Sequence, residues 1–176
     1  MGFNLDDAIS EISEQRRTQA LRFSHELGRR QCVASYLLLM KALKEEYGIE
    51  EKPLFQYLEG GKPTIKDHPN IHFNISHCKT AVAVAIGNKP VGIDIETIRP
   101  FKEALARHVL SDIEYETVVH AERPDIEFIK LWTRKEALLK YTGEGIRRDL
   151  KTVLTGCENI TTIVNEKEQY IYSFTS

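Results

Sequence analysis

Cysteine is scarce in this 176-residue chain. Its three thiols, Cys32, Cys78 and Cys157, are an odd number without a CxxC pair, so neither a disulfide framework nor a thiolate zinc cage is indicated. Long apolar runs are missing too: the longest, Val33 to Met40, is too short to span a bilayer and is broken by Ser35. The segment Met1 to Asp7 lacks the basic-then-apolar pattern of a signal peptide, and Asp6 stands where a myristoylation signal carries Ser or Thr. Neither sign of charge dominates. Lys and Arg number 24 against 26 Asp and Glu, a formal net charge of −2, which gives no basic footprint for nucleic acid. HExxH, GxSxG and GxGxxG are all absent. The expectation is a cytoplasmic protein with no membrane span, no disulfide staple and no nucleic-acid partner.

What is present is the balance of a globular chain, 41% hydrophobic and 28% charged. The length suits one domain or two small lobes sharing a core. From Asn4 to about Tyr47 the apolar spacing is helical and predicts two helices with a break near Gly28, the second stopping at Gly48. A Gly/Lys/Pro-rich loop is expected from Glu59 to Asn70. Ile71, Phe73 and Ile75 then alternate with His72, Asn74 and Ser76 as a half-buried strand. Thr80 to Ile86 and Val91 to Glu96 read as a hairpin about Gly87–Pro90. Helical segments follow from Phe101 to about Ala121, with Ser111 and Glu114 spaced as a capping box, and from about Asp125 to Tyr141, stopping at Gly143. Short strands are expected at Lys151–Leu154, Ile160–Val164 and Gln169–Phe174. Helices followed by strands, twice, predict an α+β fold of two similar lobes, 1–97 and 98–176.

Three stretches carry chemistry. In Val91-Gly92-Ile93-Asp94-Ile95-Glu96, strand alternation puts Gly92, Asp94 and Glu96 on one face. Two carboxylates about 7 Å apart at their Cα atoms repel one another, and a hard divalent cation, Mg²⁺ for choice, is the simplest occupant between them. The alternative is an exposed edge that the acids merely solubilise. Gly92 leaves room for a close backbone or ligand approach. In Leu131 to Lys140, Trp132, Glu136 and Lys140 share a helix face. They are either an ordinary Glu–Lys helix pair or, if the helix faces the Asp94 strand, a third carboxylate and a cation for a phosphate. Ser76 and His77, at a strand end, are able to donate to a phosphate oxygen, although a lone histidine there is more often a surface residue. Gly60-Gly61-Lys62-Pro63 is not a Walker A loop, since Gln56 and Pro63 stand where Gly and Ser or Thr are required. Arg29 and Arg30 add possible anion contacts. His72 and His77 face opposite sides of a strand and cannot jointly hold zinc.

In order, Gly61-Lys62-Pro63, Phe73-Asn74-Ile75-Ser76-His77, Gly92-Ile93-Asp94-Ile95-Glu96 and Trp132-Thr133-Arg134-Lys135-Glu136-Ala137-Leu138-Leu139-Lys140 closely resemble the 4′-phosphopantetheinyl transferases of the Sfp type, with their GKP, FNxSH, GxDxE and WxxKEAxxK pattern. Gly143-Glu144-Gly145-Ile146 is similar to the family's GKG segment, with Glu144 in place of lysine, and Cys78 stands where many relatives carry Ser or Gln.

The resemblance implies a pseudo-two-fold pair of lobes with coenzyme A in the cleft between them, acting as one unit and expected as a monomer. Asp94, Glu96 and Glu136 would hold Mg²⁺ against the pyrophosphate. Glu136 would also deprotonate the serine of an apo acyl or peptidyl carrier protein. Lys140 would neutralise the pyrophosphate and the departing 3′,5′-ADP. Ser76 and His77 would bind phosphate groups, while Lys62 and Arg30 match positions lining the nucleotide site. The competing readings are a coenzyme A or nucleotide pyrophosphohydrolase on the same carboxylates, and a non-catalytic module that binds carrier proteins.

Overall fold

The computed structural model describes residues 2–58, 61–143, 149–155 and 159–176. Helix α1 (Leu5–Glu11) starts at Asn4, whose side chain accepts from the N–H groups of Asp6 and Asp7. Helix α2 (Glu14–Leu21) starts at Ser13 in the same way, through the Arg16 N–H. Helix α3 (Glu26–Tyr47) ends at Gly48 in the left-handed conformation. The first helical region is therefore three helices rather than two, and its break falls at Arg22–His25 instead of Gly28. Gly28 lies inside α3 as a packing site: a Cβ there would stand 2.7 Å from the Phe23 ring and 2.8 Å from the His25 ring, which fold back over it.

Strands β1 (Phe55–Tyr57) and β2 (Pro63–Ile65) form a short antiparallel pair. β2 lies within the stretch expected to be loop. A three-residue ladder opening on proline shows too little alternation to be read as a strand. Strands β3 (His72–His77) and β4 (Val82–Gly87) pair from His72↔Gly87 to His77↔Val82. This corrects the expected hairpin between the β4 region and Val91–Glu96. The tight turn at Cys78–Ala81, closed by the Cys78 N–H on the Ala81 carbonyl, joins β4 to β3. Strand β5 (Gly92–Thr97) pairs instead with the distant C-terminal strand.

Helices α4 (Glu103–Val109) and α5 (Asp112–Val119) follow, and the Ser111/Glu114 capping box forms as expected. Helix α6 (Pro124–Thr142) ends at Gly143, again left-handed. The expected strand at Lys151–Leu154 is a turn. Its apolar Val153 plugs against Leu138, Leu139 and Ile160 beneath α6 and joins no ladder. Strands β6 (Thr161–Asn165) and β7 (Tyr170–Thr175) complete a sheet in the order β5-β7-β6, antiparallel throughout, with Gly92↔Thr175 and Thr97↔Tyr170 at the ends of the central pairing.

The fold is α+β. One apolar cluster gathers α1–α3 and β1–β3 around Val33, Tyr36, Leu39, Leu43, Phe55 and Phe73. A second gathers α4–α6 and β7 around Val109, Leu110, Val118, Phe128, Ile129 and Ile171. The seam between β3 and β5 is not a backbone ladder. The N–H groups of Ile93 and Ile95 donate to the side chains of Asn74 (3.1 Å) and Ser76 (3.3 Å) on β3. Two inward-facing polar side chains thus satisfy edge donors of β5 that would otherwise be buried and unpaired.

Candidate active site

The site is built where α6 crosses β5. A side chain on the strand would ordinarily hold a helix packed against it at a distance. Gly92 removes that spacer: a Cβ there would lie 2.0 Å from the Ala137 carbonyl oxygen and 2.6 Å from the Tyr141 nitrogen. The room foreseen at Gly92 is filled by helix backbone. Next along the strand, Asp94 points the same way as Gly92 and is only 5% exposed, which removes the alternative of a solvated edge for this residue.

Lys140 Nζ donates to Asp94 Oδ1 at 2.6 Å and to Ser76 Oγ at 3.0 Å. Ser76 in turn donates its proton to Asp94 Oδ1 at 2.8 Å. Its hydroxyl is thus fully used, with one donated bond and two accepted from Lys140 and the Ile95 N–H. Lys140 makes its ion pair with Asp94 across the seam, not with Glu136 one helical turn before it. Asp94 Oδ2 is buried with no hydrogen-bond partner.

Glu96 and Glu136 are half-buried, and their carboxyls are pushed above the ordinary value. Burial is the main cause at both; Asp94 adds repulsion at each, and Lys140 offsets part of it. Arg99 also draws Glu96 back toward ionisation from 3.7 Å. The indole N–H of Trp132 is buried without a well-formed hydrogen bond, yet lies near enough to Glu96 to favour the carboxylate. His77, at the open end of β3, is pushed down by desolvation first and then by the charge of Lys140. Sequence reasoning named Asp94, Glu96, Glu136, Lys140, Ser76 and His77 separately. The structure brings them into one electrostatically coupled group.

Among the described residues no three His, Cys, Asp or Glu side chains stand close enough to enclose an ion. The donor set nevertheless fits a hard divalent cation. Three carboxylates are all-oxygen ligands, one carboxylate oxygen is buried without a partner, and the acids repel each other through an incomplete positive counterweight.

Two residues named for the nucleotide are engaged elsewhere. Arg30 donates to Glu26 (2.7 Å) and to the Phe3 carbonyl (2.7 Å), and stacks over the Phe3 ring. Lys62 reaches the C-terminal end of α6, where Nζ donates to the Lys140 carbonyl at 2.9 Å and the Tyr141 carbonyl at 3.4 Å. Gly60 and Glu144–Ile146 lie outside the described residues, as does Cys157. Cys78 is a buried free thiol beside Thr80.

Three contributors escaped the sequence reading. Asn74 splices β5 to β3; in sequence it shares the polar face of the strand with His72 and Ser76, and nothing there marks that face as inward. Arg16 is buried and donates to the Cys32 carbonyl and to Gln19, over the Phe55 ring. It lines a cavity of about 230 Å³ together with Gln19, Phe55, Tyr57, Pro63 and His77. An arginine in the first turn of a short helix gives no sign in sequence that it is buried. Lys135, beside Glu136, is fully buried. It donates to both oxygens of Glu114 (2.8 and 2.9 Å) and to the Leu150 carbonyl at 2.6 Å, tying α6 to the capping box of α5.

Among the described residues no helix is long and apolar enough to cross a membrane. The profile of the 4′-phosphopantetheinyl transferase superfamily matches residues 90–175, the part of the chain that carries β5 and α6. The 4′-phosphopantetheinyl transferase psf-1 of Bacillus pumilus is 35% identical over 144 residues, 80% of this chain and 62% of that protein. Sfp of Bacillus subtilis strain 168 is 31% identical over 141 residues, 78% of this chain and 63% of that protein. HetI of Nostoc sp. strain PCC 7120 is 32% identical over 165 residues, 88% of this chain and 70% of that protein. The chain spans a little under two thirds of the length of the two Bacillus proteins.

Proposed function

Because the chain belongs to the 4′-phosphopantetheinyl transferase superfamily, we propose that it moves the 4′-phosphopantetheine group of coenzyme A onto a serine of an apo acyl or peptidyl carrier protein. The observation that carries this reading is the coupled cluster at the β5–α6 crossing: Asp94 bonded to Lys140 at 2.6 Å, with Glu96, Glu136 and His77 in its field. Phosphoryl transfer needs little covalent chemistry from a protein and much charge placement, which is what this cluster offers.

In the proposed reaction the carrier serine oxygen bonds to the β-phosphorus of coenzyme A, and the bond from that phosphorus to the bridging diphosphate oxygen breaks. The serine proton passes to Glu136, directly or through one water, and 3′,5′-ADP leaves with the electron pair. Burial raises the basicity of Glu136 above that of a free carboxylate, which suits it to take the proton. Lys140 is a fixed cation for the departing diphosphate oxygen. Ser76 holds Asp94 and Lys140 in register through its three bonds. His77 lines the cavity beside the buried Arg16 and offers an imidazole to the phosphates of the nucleotide end. Asp94, Glu96 and Glu136 would hold Mg²⁺, which when bound supplies charge neutralisation at the diphosphate.

The larger apolar clusters, one around α1–α3 and one around α4–α6, support the two-lobe arrangement, with the cleft at their seam. One chain then carries a whole cleft, and a monomer is the corresponding state. The test is the fate of coenzyme A. Chromatography of the nucleotide products should show 3′,5′-ADP only when an apo carrier is present. Release of free phosphopantetheine without any carrier would favour the pyrophosphohydrolase instead.

A further inference from the structure

Lys62 sits at the end of the turn between β1 and β2, fixed by the Leu58 N–H on its carbonyl at 3.0 Å and by Gly61 in the left-handed conformation. From there its side chain crosses to a helix 78 residues further along the chain. The amine makes no ion pair with a carboxylate among the described residues. It donates to the carbonyls of Lys140 and Tyr141, in the last turn of α6, at 2.9 and 3.4 Å. A cation is favourable there, because the last turn of a helix is the negative end of its dipole. The Lys62 stem also passes Gly143, the left-handed residue that terminates the helix: a Cβ at Gly143 would meet Lys62 Cδ at 3.9 Å.

The residue whose carbonyl receives this bond is the one whose side chain holds Asp94. Gly92 sets how closely α6 approaches β5, through Ala137 and Tyr141, and Lys135 and Thr133 tie the helix upstream to Glu114 and Ser173. A donor at the C-terminal end adds a hold on the turn that carries Lys140. We propose that Lys62 is a positioning residue: it caps the C-terminus of α6 and so sets the axial placement of Lys140 and Glu136 against Asp94. The role rests on the transferase reading for its catalytic consequence and on the hydrogen bonds alone for its structural one. It acts on the reacting groups through α6, in place of the nucleotide contact that the resemblance assigns to this position. Displacement by about 1 Å of groups that must align is enough to cost on the order of 100-fold in rate.

The experiment pairs Lys62→Met and Lys62→Arg with two readouts on the full chain. Hydrogen exchange of the ligand-free protein should quicken at Tyr141–Gly143 in Lys62→Met and stay near wild type in Lys62→Arg, whose guanidinium is able to cap the same carbonyls. In the transfer assay Lys62→Met should lower kcat by roughly tenfold or more while KM for coenzyme A stays within about twofold, and Lys62→Arg should recover most of kcat. A large rise in KM with kcat and exchange unchanged would overturn the proposal and make Lys62 a direct ligand of the nucleotide. Unchanged exchange in Lys62→Met overturns it whatever the activity. Quickened exchange in a protein whose wild type transfers nothing would uphold the cap and defeat the transferase reading.

Discussion

Gly92 and Ala137 are in backbone contact: a methyl group on Gly92 would need to stand 2.0 Å from the Ala137 carbonyl oxygen. That contact lets Lys140, three residues further along α6, span the seam and bond Asp94 at 2.6 Å. The close approach of strand and helix comes first in the physical order, and the charge cluster depends on it.

Gly92→Ala therefore tests the architecture. The obstructing atoms are backbone and cannot swing aside, so the substitution must push α6 away from β5. Overpacking of this kind costs about 3 kcal/mol. Thermal unfolding should show a large fall in melting temperature, and any variant that still folds should have lost activity. A stable, active Gly92→Ala protein would mean that the crossing is looser than described.

Glu136 gives a second prediction, on stability and pH. Its folded carboxyl is held above the ordinary 4.5 by burial first and by Asp94 next, so the folded state binds the proton more tightly than the unfolded chain. Stability is then lost as pH rises through the window above 4.5, and an ionised Glu136 burdens the ligand-free protein at neutral pH. Glu136→Gln removes the burden. In EDTA at neutral pH its melting temperature should exceed wild type by ~2–4 °C, corresponding to about 1 kcal/mol, while transfer is lost. The difference should close as pH falls below the ordinary carboxylate value. A less stable Glu136→Gln would place the residue in a favourable pairing.

His77 is held below 6.5 by desolvation and by Lys140, so its imidazole is neutral in the ligand-free protein at neutral pH. If it faces the nucleotide phosphates, protonation strengthens the site: affinity for 3′,5′-ADP should tighten as pH falls below 6.5. Calorimetric titration of wild type and His77→Gln over the same pH range separates this from the titration of the ligand itself. Wild type should show the steeper dependence, and parallel curves would remove His77 from the site.

Local signals were legible in the sequence; long-range pairing was not. Ser111 and Glu114 announced their capping box, and Gly143 the end of α6, because caps are written within a few residues. The partner of β5 was misread because a four-residue Gly-Asn-Lys-Pro turn suggests a hairpin, whereas the strand that pairs with β5 begins 73 residues after its end, at Tyr170 against Thr97. The acidic face of Asp94 and Glu96 followed from alternation alone. Whether that face was wet or buried depended on α6, which only the Gly92 contact decides. Arg16 and Lys135 look like ordinary charged residues of amphipathic helices, and their burial depends on the Cys32 carbonyl and on Glu114, which come from other elements.

The most direct test of the account is the intact mass of an apo acyl carrier protein after incubation with this protein, coenzyme A and Mg²⁺. EDTA and the Asp94→Ala variant serve as controls. The account predicts a gain of one phosphopantetheine on the carrier, abolished by EDTA and by Asp94→Ala. No gain on any of several apo carriers, or a gain that survives Asp94→Ala at the wild-type rate, would contradict it.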